Sequence, residues 1–249
     1  MSFLDLFKVE KPILAMLHLK GDDSDERVTI AKHEIDKLIE NGVDGVIVEN
    51  YFGDVADVEA VLKYINENRS HIIYGVNVLR NDNKAFELAN HYNANFIQLD
   101  SVAGHLNEED DKRFNAQIKR LRESSSAYVL GGVRFKYQPY LSGRPLEEDL
   151  SIGKKRCDGI VVTGSGTGVE TDNKKIEEFR TIIGPDFPLV VGAGLTKENC
   201  MAKLSVADAG IVGSYLKENG KDDGLVSTIN TDIFMEQVKK LRGKKSMKN

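Results

Sequence analysis

A chain of 249 residues, 41% of them hydrophobic and 29% charged, has the material for one large core and is too apolar for a disordered segment. Its net charge of −5 gives no general attraction to a phosphate backbone, which argues against nucleic acid as the main partner. Cys157 and Cys200 stand outside any metal-ligand spacing, which speaks against a disulfide scaffold and fits a reducing cytoplasm, and no apolar run is long enough for a transmembrane segment.

The opening MSFLDLFKVEKP lacks the basic start and long apolar stretch of a signal peptide. Its SFLDLF has a mild helical stripe, but Asp5 and the shortness of the segment argue against a membrane surface. Residues 1–10 are therefore expected to form a short helix that plugs the bottom of the fold. Strand-length apolar runs follow at 13–19, 45–50, 72–79, 96–102, 128–135, 159–164, 189–194 and 209–216. Each is apolar on both alternations, as a strand buried on both faces is.

Helical stretches lie between them at 31–42, 58–68, 84–94, 111–124, 173–184, 197–205 and 229–243. In the first, Ile35, Leu38 and Ile39 make the stripe and Gly42 supplies the stop. Alternation of this kind builds a parallel sheet, and eight strands is the count of a (β/α)8 TIM barrel, here a single α/β domain over residues 1–242. A doubly wound open sheet would favour a glycine-rich turn after the first strand, where this chain has HLKGDDSDE. The remaining residues, 243–249, are expected to be a disordered basic tail.

VDGVIV, CDGIVV and ADAGIV repeat one pattern, with Asp44, Asp158 or Asp208 just ahead of a strand. Such helix-to-strand turns belong to the bottom face of a barrel, where residues serve stability, so these aspartates are left out of the site.

Chemistry in a barrel is built from strand ends and the loops that follow them. The first strand offers His18, the second Glu49 and Asn50, and the third Asn77 with Arg80, Asn81 and Asp82 in its loop. Asp100 ends the fourth strand, Lys136 follows the fifth, and Thr163 with Gly164, Ser165 and Gly166 follows the sixth. Gly192 and Gly194 end the seventh strand, and Gly213 and Ser214 the eighth. Glycines there let the backbone approach a phosphate and aim N–H groups at it. The plainer reading is tight turns that bind nothing.

Glu49 is the best placed acid–base group, because apolar walls would raise its pKa, and Asp100 is its natural partner. The pair could hold a divalent metal, but no His-rich ligand spacing supports one, and no cofactor is expected. His18 is either a proton carrier or a hydrogen-bonded core histidine. Lys136 is read as neutralising a phosphate or carboxylate; a Schiff-base role would need a desolvated amine. His33, His71 and His91 look like surface positions and receive no role.

The pieces MLHL, GVDGVIVEN, GVNVLRND, IVVTGSGTG, VGAGLTKEN and IVGSYLK span nearly the whole chain and resemble the BtpA (SgcQ-like) family, named for a member linked to photosystem I accumulation. The resemblance implies a TIM barrel of the phosphate-binding, ribulose-phosphate-binding type. It supports a site drawn from His18, Glu49, Asn50, Asn77, Arg80, Asn81, Asp82, Thr163 and Gly164 besides the terminal glycines. It names no reaction: some members are labelled biogenesis factors, others sugar or nucleoside enzymes. The chain departs from the family pattern after the first strand, where the loop is short, and in LGGVRFKYQ, where Gly132 and Tyr137 replace an expected acid and imidazole.

Three functions follow as expectations. The first is an enzyme on a small phosphorylated sugar or related metabolite, of isomerase, aldolase or lyase type. The second is a non-enzymatic biogenesis or stability factor for a membrane protein complex. The third is a nucleosidase-like hydrolase. A homo-oligomer is compatible with all three.

Overall fold

Eight parallel strands close into a barrel in sequence order, with β1 paired to both β2 and β8, in the computed structural model, which describes residues 1–246. The strands are β1 Ile13–Leu17, β2 Gly45–Glu49, β3 Ile73–Asn77, β4 Phe96–Ala103, β5 Tyr128–Val133, β6 Gly159–Val162, β7 Leu189–Gly192 and β8 Ala209–Val212. The helices are α1 Ser24–Glu40, α2 Val55–Asn68, α3 Asp82–His91, α4 Glu108–Glu123, α5 Leu146–Arg156, α6 Asn173–Ile183, α7 Cys200–Val206 and α8 Thr228–Ser246. This is the (β/α)8 TIM barrel expected from the alternation.

One apolar layer fills the barrel and a second lies between strands and helices. The inner layer holds Leu14, Met16, Ile47, Phe96, Leu130 and Val190. A 3-10 helix, Phe3–Leu6, drives Phe3 into the same layer, edge-on to Phe96 and Tyr128 at 5.6 and 6.3 Å between ring centres. Most strands are shorter than their apolar runs because the chain leaves the ladder at the mouth. After β1, for example, Leu19 has φ 56, a left-handed conformation that no strand continues.

Helix α5 goes unannounced by any hydrophobic stripe. Its buried residues are Asp149, Leu150, Gly153 and Arg156, so the inward face is charged and small rather than apolar. Asp149 accepts from Arg134 and Arg144 at 3.0 Å each, and Arg156 Nη1 donates to Asp111 at 2.7 Å. The remaining cues are Pro145 before the first turn, three acids within it and three bases in the last.

The repeated aspartates form a device at the barrel bottom. Asp44 accepts the backbone N–H of Ile13 at 2.8 Å, Asp158 that of Val129 at 2.7 Å and Asp208 that of Leu189 at 2.9 Å. Each also donates its own N–H back to the carbonyl of that same residue, at 3.0, 2.7 and 2.7 Å. Asn95, ahead of β4, makes both bonds to Tyr74, at 3.0 and 2.8 Å. The residue before every even-numbered strand thus staples an odd-numbered neighbour, β1, β3, β5 or β7. The three aspartates are further paired with Arg242, Arg122 and Arg180. Helix α8 continues to Ser246 through part of the stretch expected as a tail, and residues 247–249 lie outside those described.

Candidate functional site

A cavity of about 370 Å³ opens at the C-terminal ends of the strands. His18, Glu49, Arg80, Asp100, Lys136 and Thr163 line it, each from a different strand or its loop. Met16, Phe135, Val161 and Ile211 give it an apolar base where it meets the inner core layer.

Glu49 and Asp100 are brought together by Asn77, which lies between them on β3. Its Nδ2 donates to Glu49 Oε1 at 3.2 Å and to Asp100 Oδ1 at 3.1 Å. Two carboxyl neighbours require the nitrogen end of the amide to face them, which fixes its orientation. Burial pushes the Glu49 carboxyl up to about 8, reinforced by the charge of Asp100 and opposed by Lys136. Asp100 is also raised by burial, but the Asn77 hydrogen bond and the charges of Lys136 and Arg80 pull it back. Near neutrality the proton therefore resides on Glu49. Asp82 is raised to about 6, by burial and then by Asp100.

His18 is buried beneath Tyr51 and Phe52, with ring centres 4.9 and 6.4 Å away. Burial first, then the charge of Lys217, lowers it to about 4, so the ring is neutral at pH 7. Its Nδ1 lies 3.2 Å from the carbonyl oxygen of Asp222, an acceptor, which assigns the ring proton to Nδ1. The bare Nε2 then faces Glu49 Oε2 across 4.0 Å. A protonated carboxyl and a neutral imidazole make this a proton donor facing an acceptor rather than an ion pair.

The other expected residues divide between cavity and support. Gly192, Gly194, Gly213 and Ser214 line the wall formed by β7 and β8; Asn50, Asn77, Asn81, Asp82, Gly164, Ser165 and Gly166 do not line the cavity. Asn50 Oδ1 accepts from the N–H of Leu79 at 2.8 Å and Asn81 caps α3 through Lys84, so both shape the β3 loop. Ser165 is exposed, and Gly166 lies under the Tyr137 hydroxyl. Gly194 has φ +63, and a side chain there would meet the backbone of Glu170 at 2.4 Å, so its smallness admits the neighbouring loop. Among the described residues no side chain caps the N–H of Gly194, Gly213 or Ser214, whereas Asn199 caps that of Thr196 at 2.8 Å. Gly132, at the family departure, has no room for a side chain, because the Asp100 carbonyl would lie 2.1 Å from it. His33, His71 and His91 are exposed on the outside of the barrel.

Loop tips close over the mouth. Thr167 accepts from Lys136 Nζ at 3.0 Å, and its N–H donates to the Tyr137 hydroxyl at 2.8 Å. The loop after β8 brings Asp222 to His18 and is clamped at its base by Glu34, which takes Lys217 Nζ and the Val226 N–H at 2.9 Å each. Tyr51, Asp222 and Gln98 are not among the residues expected in the site, and Thr167 is marked only as part of the TGSGTG loop after β6. Of the first three, only Gln98 left a signal, as a polar residue inside a strand that is otherwise apolar up to Asp100.

The BtpA family model matches residues 9–240. The chain belongs to the BtpA family. Among relatives of this BtpA-family chain, an uncharacterised protein of Methanocaldococcus jannaschii is 29% identical over 265 residues, covering 96% of each chain. The photosystem I biogenesis protein BtpA of Synechocystis is 26% identical, covering 95% of this chain and 91% of that one. The putative sgc region protein SgcQ of Escherichia coli is 26% identical, covering 97% and 100%. Two solved barrels share the fold. Thiamine phosphate pyrophosphorylase from Pyrococcus furiosus has a TM-score of 0.63 at 12% identity, covering 93% of this chain and 96% of that one. Phosphoribosyl anthranilate isomerase from Thermococcus kodakaraensis has 0.59 at 18%, covering 92% and 98%. No helix among the described residues is long and apolar enough to cross a membrane, and none of their His, Cys, Asp and Glu side chains form a group of three able to hold a metal ion.

Proposed function

We propose that this chain is an enzyme that moves a proton on a small phosphorylated sugar or related metabolite, in an isomerisation, aldol or lyase step. One observation carries the reading: a carboxyl that keeps its proton to about pH 8 is bridged by an amide to a second carboxyl in the cavity at the strand ends. Pairs of titratable groups whose surroundings push their pKa values apart are how one site supplies an acid and a base.

The roles follow from the charges. Lys136, Arg80 and the amides of Gly194, Gly213 and Ser214 hold the phosphate. That attachment fixes the reacting carbons against the carboxyl pair, and its binding energy is spent on orientation. Asp100 takes the proton from a carbon beside the carbonyl, while Glu49 donates its own to the carbonyl oxygen. The electron pair of the broken C–H bond becomes the double bond of an enol, and return of the protons completes the step. His18 Nε2 stands by Glu49 as a second proton acceptor. The phosphate in the names of two structural neighbours, thiamine phosphate pyrophosphorylase and phosphoribosyl anthranilate isomerase, supports this ligand class.

The test is solvent exchange. Aldose and ketose phosphates incubated with the protein in D2O should gain deuterium beside the carbonyl, and Glu49→Gln should abolish the gain while keeping the thermal stabilisation by the same compounds. Absence of any stabilisation by sugar phosphates or by inorganic phosphate would remove the ligand class. A biogenesis factor instead predicts that Glu49→Gln complements fully. The exposed Tyr137, Tyr140, Leu141 and Val169 on the loops after β5 and β6 are the surface that reading would use.

A further inference from the structure

We infer that Gln98 reads the hydroxyl beside the reacting carbonyl and so decides which phosphorylated compounds the Glu49–Asp100 pair can act on. The inference rests on the reading of the cavity given above and adds the group that selects its ligand.

Gln98 is on β4, two residues before Asp100, so both side chains leave the strand on one face, toward the barrel interior. It lines the cavity and is 5% exposed. Its Oε1 is buried and has no hydrogen-bond partner among the described residues. A native fold rarely leaves a buried amide unsatisfied, because the group has lost its water and gained nothing in return. The contrast with Asn77 is direct. That amide, on the adjacent strand, has both of its N–H groups engaged by carboxyls.

Packing alone does not call for an amide here. Phe96, two residues earlier on the same face, is apolar and fully buried, and the cavity that Gln98 lines has an apolar base of Met16, Phe135 and Val161. Leucine or methionine would satisfy that environment without stranding a polar group. A polar side chain held at a cost to stability inside a ligand cavity is the pattern of a site that trades stability for recognition.

The chemistry of the amide narrows what it recognises. An amide both accepts and donates, so its complement is a neutral hydroxyl. A second anion would meet the charge of Asp100 two residues away. Because Gln98 and Asp100 share a face, the hydroxyl belongs to the carbon next to the carbonyl, where Asp100 takes the proton. A site built to bond a hydroxyl discriminates strongly against the analogue without it, since the buried group is then left unpaired.

The experiment compares the wild-type protein with Gln98→Met, which keeps the length and removes the amide. Two measurements are made: the melting temperature without ligand, and Kd by calorimetry for D-ribose 5-phosphate, 2-deoxy-D-ribose 5-phosphate and inorganic phosphate. The wild type should bind the ribose compound at least about tenfold more tightly than the deoxy compound. Gln98→Met should bind the two equally, bind inorganic phosphate unchanged, and melt higher without ligand by about 2–4 °C. A lower melting temperature for Gln98→Met would show that the fold itself uses the amide, and equal binding of the two sugars by the wild type would show that it reads no hydroxyl there. Either result overturns the assignment of Gln98. Failure of the wild type to bind any of the three compounds would instead overturn the phosphometabolite reading, and this inference with it.

Discussion

Asn77 donates one N–H to Glu49 at 3.2 Å and the other to Asp100 at 3.1 Å, so a single amide holds two carboxyls that burial and mutual repulsion would otherwise drive apart. The bond to Asp100 favours its ionised form, and its removal raises the pKa of Asp100 further. Asn77→Leu should therefore shift the acidic limb of the pH–exchange profile upward and lower solvent exchange on the order of a hundredfold. Its stability cost should be about 1–3 kcal/mol, from the lost hydrogen bonds to buried carboxyls. Rate profiles in D2O together with denaturant titration check both.

Glu49 should make the protein less stable as pH rises. Its folded pKa of about 8 lies above the unfolded value of 4.5, so its favourable contribution is fully present below about 4.5 and is lost as pH climbs through 8. Glu49→Gln removes this dependence. The variant should melt above the wild type at pH 8–9 and close to it at pH 4.5, by an amount equivalent to a few kcal/mol at the alkaline end. Melting curves across that range test the sign.

His18 should act in the opposite direction. Its folded value of about 4 lies below the unfolded 6.5, so its contribution is present above 6.5 and is lost as pH falls toward 4. His18→Gln should flatten the acid side of the stability curve between pH 6.5 and 4. An unchanged slope would mean that the ring is already charged, or reaches water, in the folded protein.

The bottom staples should affect stability and leave the cavity alone. Asp158→Ala removes the acceptor for Val129 and the paired bonds from Arg122 at 2.8 and 2.9 Å. It should cost about 2–4 kcal/mol, because a backbone donor and a guanidinium both lose their partner. Stabilisation by inorganic phosphate should be retained, and thermal shift measures both effects.

The fold was legible because its signal is periodic. Eight runs apolar on both alternations, alternating with helical stretches, read as strands covered on both faces, and Asp44, Asp158 and Asp208 mark the bottom of the barrel. Helix α5 was not legible, since it meets the barrel through Asp149, Gly153 and Arg156 rather than through a stripe. Glu49, Asp100, His18 and Lys136 are legible as cavity-lining residues because each lies at or just after the end of an apolar run. Asn77 is legible as a polar strand end, but its bridging role depends on β3 lying between β2 and β4. Glycine was an ambiguous signal. At Gly194 the chain's own loop, Val169 and Glu170, makes the close approach that glycine permits. Thr167 and Asp222 reach the mouth from loops, and nothing in a linear sequence fixes where a loop tip lands.

The most direct test of the account is the titration of the Glu49 carboxyl itself. Carbon-13 NMR of the glutamate side-chain carboxyls, with Glu49→Gln identifying the resonance that disappears, gives its midpoint in the folded protein. In the free protein the midpoint should lie near 8. A midpoint near the ordinary glutamate value of 4.5 would contradict it, because Glu49 would then have no proton to donate at neutral pH.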